Sequence, residues 1–157
     1  MRSRSVIALA GVLTLAALVV TAPCVAAAAP STNPAPICPH RIVITALAFN
    51  PPTITRGQSS VVHVIARNCT RRPLTTELTW VGHFVGSGGG IPAGCPAIDP
   101  LAVPAAFKPL GSLGAHLGYL VFSGCAATGL VVTARFTGPA GALLAQQSTV
   151  LRITAPA

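Results

Sequence analysis

From Arg41 onward, runs with a period of two recur, separated by Gly and Pro, and no stretch sustains a 3.6-residue period. Arg41 to Phe49 is β-branched and apolar and stops at Asn50-Pro51-Pro52. Between Ser59 and Asn68, Val62, Val64, Ala66 and Asn68 share one side, and His63, Ile65 and Arg67 the other. Leu74 to Phe84 sets Leu74, Thr76, Leu78, Trp80 and Phe84 against Thr75, Glu77, Thr79 and His83. A strand with one apolar face belongs to an antiparallel sheet covered on a single side. Trp80 is in phase with Leu78 and Phe84, so it reads as a core residue.

Val85 to about Val103 is irregular and rich in Gly and Pro. A short strand over Ala105–Leu110 follows, kept at a sheet edge by Pro109. His116–Phe122 is another strand, and either of its faces can be the buried one. Leu130, Val132, Ala134 and Phe136 face inward on the next. Gly138-Pro139-Ala140-Gly141 turns the chain, and Leu143–Thr154 returns with Leu151 and Ile153 inward. About seven short strands with frequent turn signals predict an all-β fold: an immunoglobulin-like antiparallel β-sandwich with two disulfides.

The N-terminus follows another pattern. Met1-Arg2-Ser3-Arg4-Ser5 is basic, Val6 to Val20 is apolar, and Val25-Ala26-Ala27-Ala28-Ala29 is small. That order is the one found in secretory signal peptides. We expect a signal over residues 1–28 that removes Cys24, a Pro-rich extended leader over 29–40, and one domain over 41–157. No stable membrane span is expected after cleavage, and the expected location is outside the cell, free or wall-associated. Abundant Ala, Gly, Pro and Arg with a single Lys suggest a GC-rich bacterial genome.

Four cysteines in an exported chain of this size read as a disulfide framework. A hairpin of the first two strands, turning near Thr53–Thr55, sets Phe49 opposite Gln58 and Cys38 opposite Cys69. Cys95 follows the third strand and Cys125 precedes the sixth, which are antiparallel neighbours in such sandwiches. The expected bridges are therefore Cys38–Cys69 and Cys95–Cys125, one at each end.

The segment Pro52-Thr53-Ile54-Thr55-Arg56-Gly57, followed by Val62-His63-Val64-Ile65-Ala66-Arg67-Asn68, resembles the opening of bacterial Ig-like modules of the CARDB kind, named for cell adhesion. Gly111-Ser112 and the Phe136–Ala145 hairpin around Gly138 and Gly141 are similar to their second half. The resemblance implies an extracytoplasmic binding or structural role. The chain differs from those modules in carrying cysteines and few acids.

Charge and chemistry narrow the function classes. Formal net charge is +8, and +6 once Arg2 and Arg4 leave with the signal. A basic exported chain suits solubility and attraction to anionic wall polymers. Glu77 and Asp99 are the only side-chain carboxylates, one on a strand and one in a loop, so a paired acid–base site is not expected. Gly-x-Ser-x-Gly, Cys-x-x-Cys and His-x-His do not occur, and His40, His63, His83 and His116 are expected apart. We expect no catalytic residues, no metal, no cofactor and no nucleic-acid partner. Asn68-Cys69-Thr70 fits a glycosylation pattern, but Asn68 points inward.

Two surfaces remain. Arg67, Arg71 and Arg72 form a candidate anionic contact, with an anionic wall polymer or another extracellular protein as partner. The irregular loop, with Ile91, Pro92, Gly94, Pro96 and Asp99, is a candidate binding surface tethered at Cys95. The leading expectation is a non-enzymatic secreted module binding or supporting something at the cell envelope. The alternative is a protease inhibitor presenting Ile91–Asp99.

Overall fold

The computed structural model describes Cys38, residues 40–88 and residues 90–156. The expected signal, and the expected leader apart from Cys38 and His40, lie outside the described residues.

Among the described residues, eight strands form two sheets, joined by turns and one 3₁₀ turn over Pro139–Gly141. They are β1 (Ile42–Asn50), β2 (Thr53–Thr55), β3 (Ser59–Asn68), β4 (Leu74–Val85), β5 (Leu101–Phe107), β6 (Ser112–Leu120), β7 (Gly129–Thr137) and β8 (Leu143–Thr154). The smaller sheet has the order β1-β3-β6, and the larger β2-β8-β7-β4-β5. Every pairing is antiparallel except β2 with β8, which is parallel. No helix among the described residues is long and apolar enough to cross a membrane.

The alternating faces meet in one core. Leu47, Phe49, Val62, Val64 and Tyr119 come from the smaller sheet, and Leu78, Trp80, Leu130, Val132 and Phe136 from the larger. Phe107 meets Phe136 edge-on at 5.5 Å, and Phe49 meets Tyr119 at 6.1 Å. The inward sets expected for β3, β4, β7 and the end of β8 are the buried ones. Burying each large side chain contributes about 1.5–3 kcal/mol, so phase along these strands decides which face turns inward.

Four expectations need correction. First, β1 and β3 do not form a tight hairpin: Phe49 faces Val62, not Gln58. Pro51 and Pro52 have no amide hydrogen to extend a ladder, and Thr53–Thr55 leaves to pair with β8. Ser60 Oγ donates to the Pro51 carbonyl at 2.6 Å, fixing this crossing. Second, the edge strand is Leu101–Phe107, with Pro104 inside it, rather than Ala105–Leu110. The twelve-residue β4 offers an edge as far as Trp80, which pairs with Leu101. Third, β6 runs over Ser112–Leu120 rather than His116–Phe122, with Leu113, Ala115, Leu117 and Tyr119 turned inward. Fourth, two of the histidines are adjacent, since His63 pairs directly with His116.

Both expected disulfides are present. Cys38–Cys69 has a Cα separation of 5.8 Å and Cys95–Cys125 one of 4.3 Å. The first forms in a different register from the one expected. The ladder ends at Ile42 opposite Asn68, the Cys69 amide continues it by donating to the Arg41 carbonyl at 2.9 Å, and Cys38 reaches back from three residues earlier. The bridges close opposite ends of the strands.

Candidate functional site

At one end, the β4–β5 loop is built as a clamp rather than a free connection. The Cys95 amide donates to the Pro92 carbonyl at 3.1 Å, closing a turn in which Gly94 has φ +69°. A positive φ at the third position is what a type II turn demands, and glycine supplies it without steric cost. The Ala126 amide donates to the Ala93 carbonyl at 2.8 Å, beside Cys95–Cys125, so the turn is pinned to the β6–β7 connection. Beyond the bridge, Ile98 packs over Gly82, where an added β-carbon would stand 3.3 Å from it. The loop is thus fixed at two points, the β6–β7 connection and Gly82 of β4.

Of the loop's expected residues, Ile91, Pro92 and Gly94 are brought together in and beside this turn. Pro96 and Asp99 run on toward β5 and lie exposed. Ile91 is 63% exposed. Between the loop and the end of β4 lies a shallow cleft of ≈ 380 Å³ bordered by His83, Phe84, Val85 and Ile91. A second groove, ≈ 520 Å³, runs between β1 and β8 from Ile42 to Gln147. No carboxylate borders either one.

The other end is cationic. Asn68, fully buried, organises it through its side-chain amide. Nδ2 donates to the carbonyls of Arg72 at 2.7 Å and Lys108 at 3.0 Å, while Oδ1 accepts from the Thr70 amide and hydroxyl, each at 2.8 Å. Leu110 N donates to Thr70 O at 2.9 Å, tying the β5–β6 turn to the β3–β4 turn. A buried amide with both its groups paired is rigid and costly to disturb. It also leaves no accessible nitrogen for glycosylation at Asn68-Cys69-Thr70.

This network gathers Arg71, Arg72 and Lys108, all exposed, and Arg41 joins them through its bond to Cys69. Arg67 stands half-buried on the neighbouring outer face of β3. The expected residues Arg67, Arg71 and Arg72 lie on the chain either side of Asn68 and Cys69, and the backbone bonds bring Arg41 and Lys108 to the same end. Five of the eight Lys and Arg among the described residues lie here. Lys108 was missed because it is 36 residues from Arg72, and only the Asn68 bonds reveal their proximity. Neither carboxylate joins the cluster: Glu77 is exposed on the outer face of β4 and Asp99 precedes β5. Among the described residues, no group of three or more His, Cys, Asp or Glu is placed to hold a metal ion.

No family model matches the chain, and no curated protein matches it. Among solved structures it resembles part of the alkylpurine DNA glycosylase of Pseudomonas fluorescens, solved bound to DNA containing an abasic site analog. That match has 12% identity and a TM-score of 0.55, covering 75% of this chain and 32% of that one. The chain thus spans about a third of that enzyme's length, and the likeness is one of fold. A protein that catalyses macrocyclization in alchivemycin A biosynthesis matches at 12% identity and a TM-score of 0.48, over 75% of this chain and 92% of that one. A Niemann-Pick type C2 protein from the Japanese carpenter ant matches at 12% identity and 0.41, over 71% and 91%.

Proposed function

We propose that the chain is an exported, non-enzymatic module of immunoglobulin-like fold that binds an anionic polymer of the cell envelope at its cationic end. The strand order supports the fold. Three strands (β1-β3-β6) face a sheet ending β7-β4-β5, and the first strand divides so that β2 runs parallel to the last. Two disulfides suit an oxidising compartment. The observation that supports the binding role is that the segments carrying Arg41, Arg67, Arg71, Arg72 and Lys108 meet at Asn68 and Cys69, with neither carboxylate on them. Guanidinium groups present planar donors suited to phosphate and carboxylate oxygens, and like charges held together attract a polyanion over about a Debye length.

The test is sedimentation of the purified protein with isolated wall material across a salt series. Binding should weaken about tenfold or more as the Debye length falls from about 10 Å to about 3 Å. It should also be lost in the Arg71→Glu/Arg72→Glu double variant. Binding that survives both treatments overturns the proposal.

The protease-inhibitor reading rests on the exposed, disulfide-anchored Ile91. A protease cleft pairs with extended backbone, whereas Pro92–Cys95 is a hydrogen-bonded turn, so the polymer-binding reading is favoured. Stoichiometric inhibition of a secreted serine protease, abolished by changes at Gly94–Ala97, would reverse that preference.

A further inference from the structure

His63 on β3 and His116 on β6 face each other directly across the antiparallel ladder. Both are exposed on the outer face of the smaller sheet, with ring centroids 5.9 Å apart and planes inclined by 37°. Among the described residues, neither ring takes part in a side-chain hydrogen bond of the kind seen at Thr133–Ser148 or Arg135–Gln146. Ala48 of β1 faces His63, Gly114 and Gly118 flank His116 on its own strand, and Val61 and Ile65 flank His63 on β3. The glycines leave the His116 ring room to turn toward His63. The outer faces of β1, β3 and β6 carry no carboxylate; their one charged residue is Arg67, four positions along β3 from His63.

The geometry points to a divalent transition-metal site at this pair. Metal–nitrogen bonds of about 2.0–2.1 Å place the centroids of two imidazoles at square-planar or tetrahedral angles on one ion about 4.5–5.2 Å apart, so the pair, at 5.9 Å, has to close by side-chain rotation to share an ion. Both ligands rise from adjacent positions on a hydrogen-bonded ladder, and a site on strands is held more closely than one on loops. Imidazole nitrogens select borderline ions such as Cu²⁺, Ni²⁺ and Zn²⁺, whereas Mg²⁺ and Ca²⁺ require oxygen ligands. With two protein ligands, the ion keeps positions for water or an exchangeable ligand, so this is a surface capture site. It is independent of the polymer-binding proposal, whose residues lie at the end of the strands.

The experiment titrates the untagged protein with CuCl₂, NiCl₂, ZnCl₂ and MgCl₂ by calorimetry, and follows Cu²⁺ by paramagnetic broadening of amide resonances. One Cu²⁺ per chain is expected, with broadening centred on His63, His116 and their ladder neighbours. Cu²⁺ should bind more tightly than Ni²⁺ or Zn²⁺, and Mg²⁺ should not bind. His63→Ala and His116→Ala should each weaken binding about tenfold or more, on the scale of a lost metal-site interaction, while His83→Ala leaves it unchanged. Amide dispersion checks the fold of each variant, and His63→Gln and His116→Gln provide a second pair of the same size and polarity. Broadening centred elsewhere, or single variants that bind as well as the parent, would overturn the assignment.

Discussion

A β-carbon on Gly94 would overlap the backbone carbonyl oxygen of Gly124, so the two connections at the Cys95–Cys125 end are in contact backbone to backbone. Gly94 also sits at φ +69°, which costs an L-residue about 1–2 kcal/mol on its own. Gly94→Ala must bear that cost and push the β6–β7 connection away, straining the Ala126–Ala93 hydrogen bond. We expect a loss of about 2 kcal/mol or more, seen as a lower guanidinium midpoint at unchanged slope. Gly88→Ala is the control, because an added β-carbon there meets nothing within 4 Å. Equal midpoints for the two variants would mean that the turn does not bear on stability.

Leu110 presents the reverse situation. The Gly111 amide donates to the Lys108 carbonyl at 3.0 Å, so Lys108-Pro109-Leu110-Gly111 is a turn with proline second and a positive φ of 53° at Leu110. Glycine or asparagine is the usual residue at that position. The Leu110 side chain is 47% exposed and gives up little packing if removed. Leu110→Asn should therefore stabilise the fold by about 1 kcal/mol, raising the thermal midpoint by several degrees. No rise, or a fall, would show that the leucine side chain contributes more than its exposure implies.

What the sequence made legible follows from how far each signal travels along the chain. The inward faces of β3, β4 and β7 were readable because burial enforces a period of two on neighbouring residues. The bridge pairs were readable because four cysteines at strand ends allow few antiparallel arrangements. The departure of Thr53–Thr55 to the far sheet was not, since its partners Arg152–Thr154 are about a hundred positions away. Edge strand β5 was misplaced because its first four residues are not buried and leave no apolar phase to read. The cationic end was half legible: Arg67, Arg71 and Arg72 are local, but Arg41 and Lys108 join only through Cys69 and Asn68. The His63–His116 pair depends on the β3–β6 register, which no local pattern fixes.

The two disulfides close loops of nearly equal length, with sequence separations of 31 and 30. In the chain-entropy account each is worth about 3–4 kcal/mol, so loop closure alone predicts equal effects on removal. Burial breaks that symmetry. Cys125 is fully buried within the core cluster, whereas Cys38 is exposed. Cys95→Ala/Cys125→Ala should therefore lose more stability than Cys38→Ala/Cys69→Ala, by about 1 kcal/mol for the additional cavity. Comparing the two double variants in denaturant measures the difference directly, and an equal loss would assign the whole effect to loop closure.

Tyr119, the only tyrosine in the chain, offers a spectroscopic test of the core. Its ring is buried between the sheets, edge-on to Phe49, and near enough to Gly82 that an added β-carbon would lie 3.4 Å from it. Burial disfavours the phenolate and raises its pKa above the ordinary value of 10.0. The sign follows from linkage. A folded-state pKa above the unfolded one gives a contribution that is fully present below pH about 10, and it is lost as pH rises through the higher folded value. Phenolate absorbance should therefore titrate above the ordinary phenol range in the native protein and return to about 10 in denaturant with the disulfides reduced. Phe49→Ala, which opens the ring to water, should move the native midpoint back toward the ordinary value. A native midpoint already there, in a protein still folded by circular dichroism, would place the hydroxyl in solvent and overturn the packing of β6 against β4.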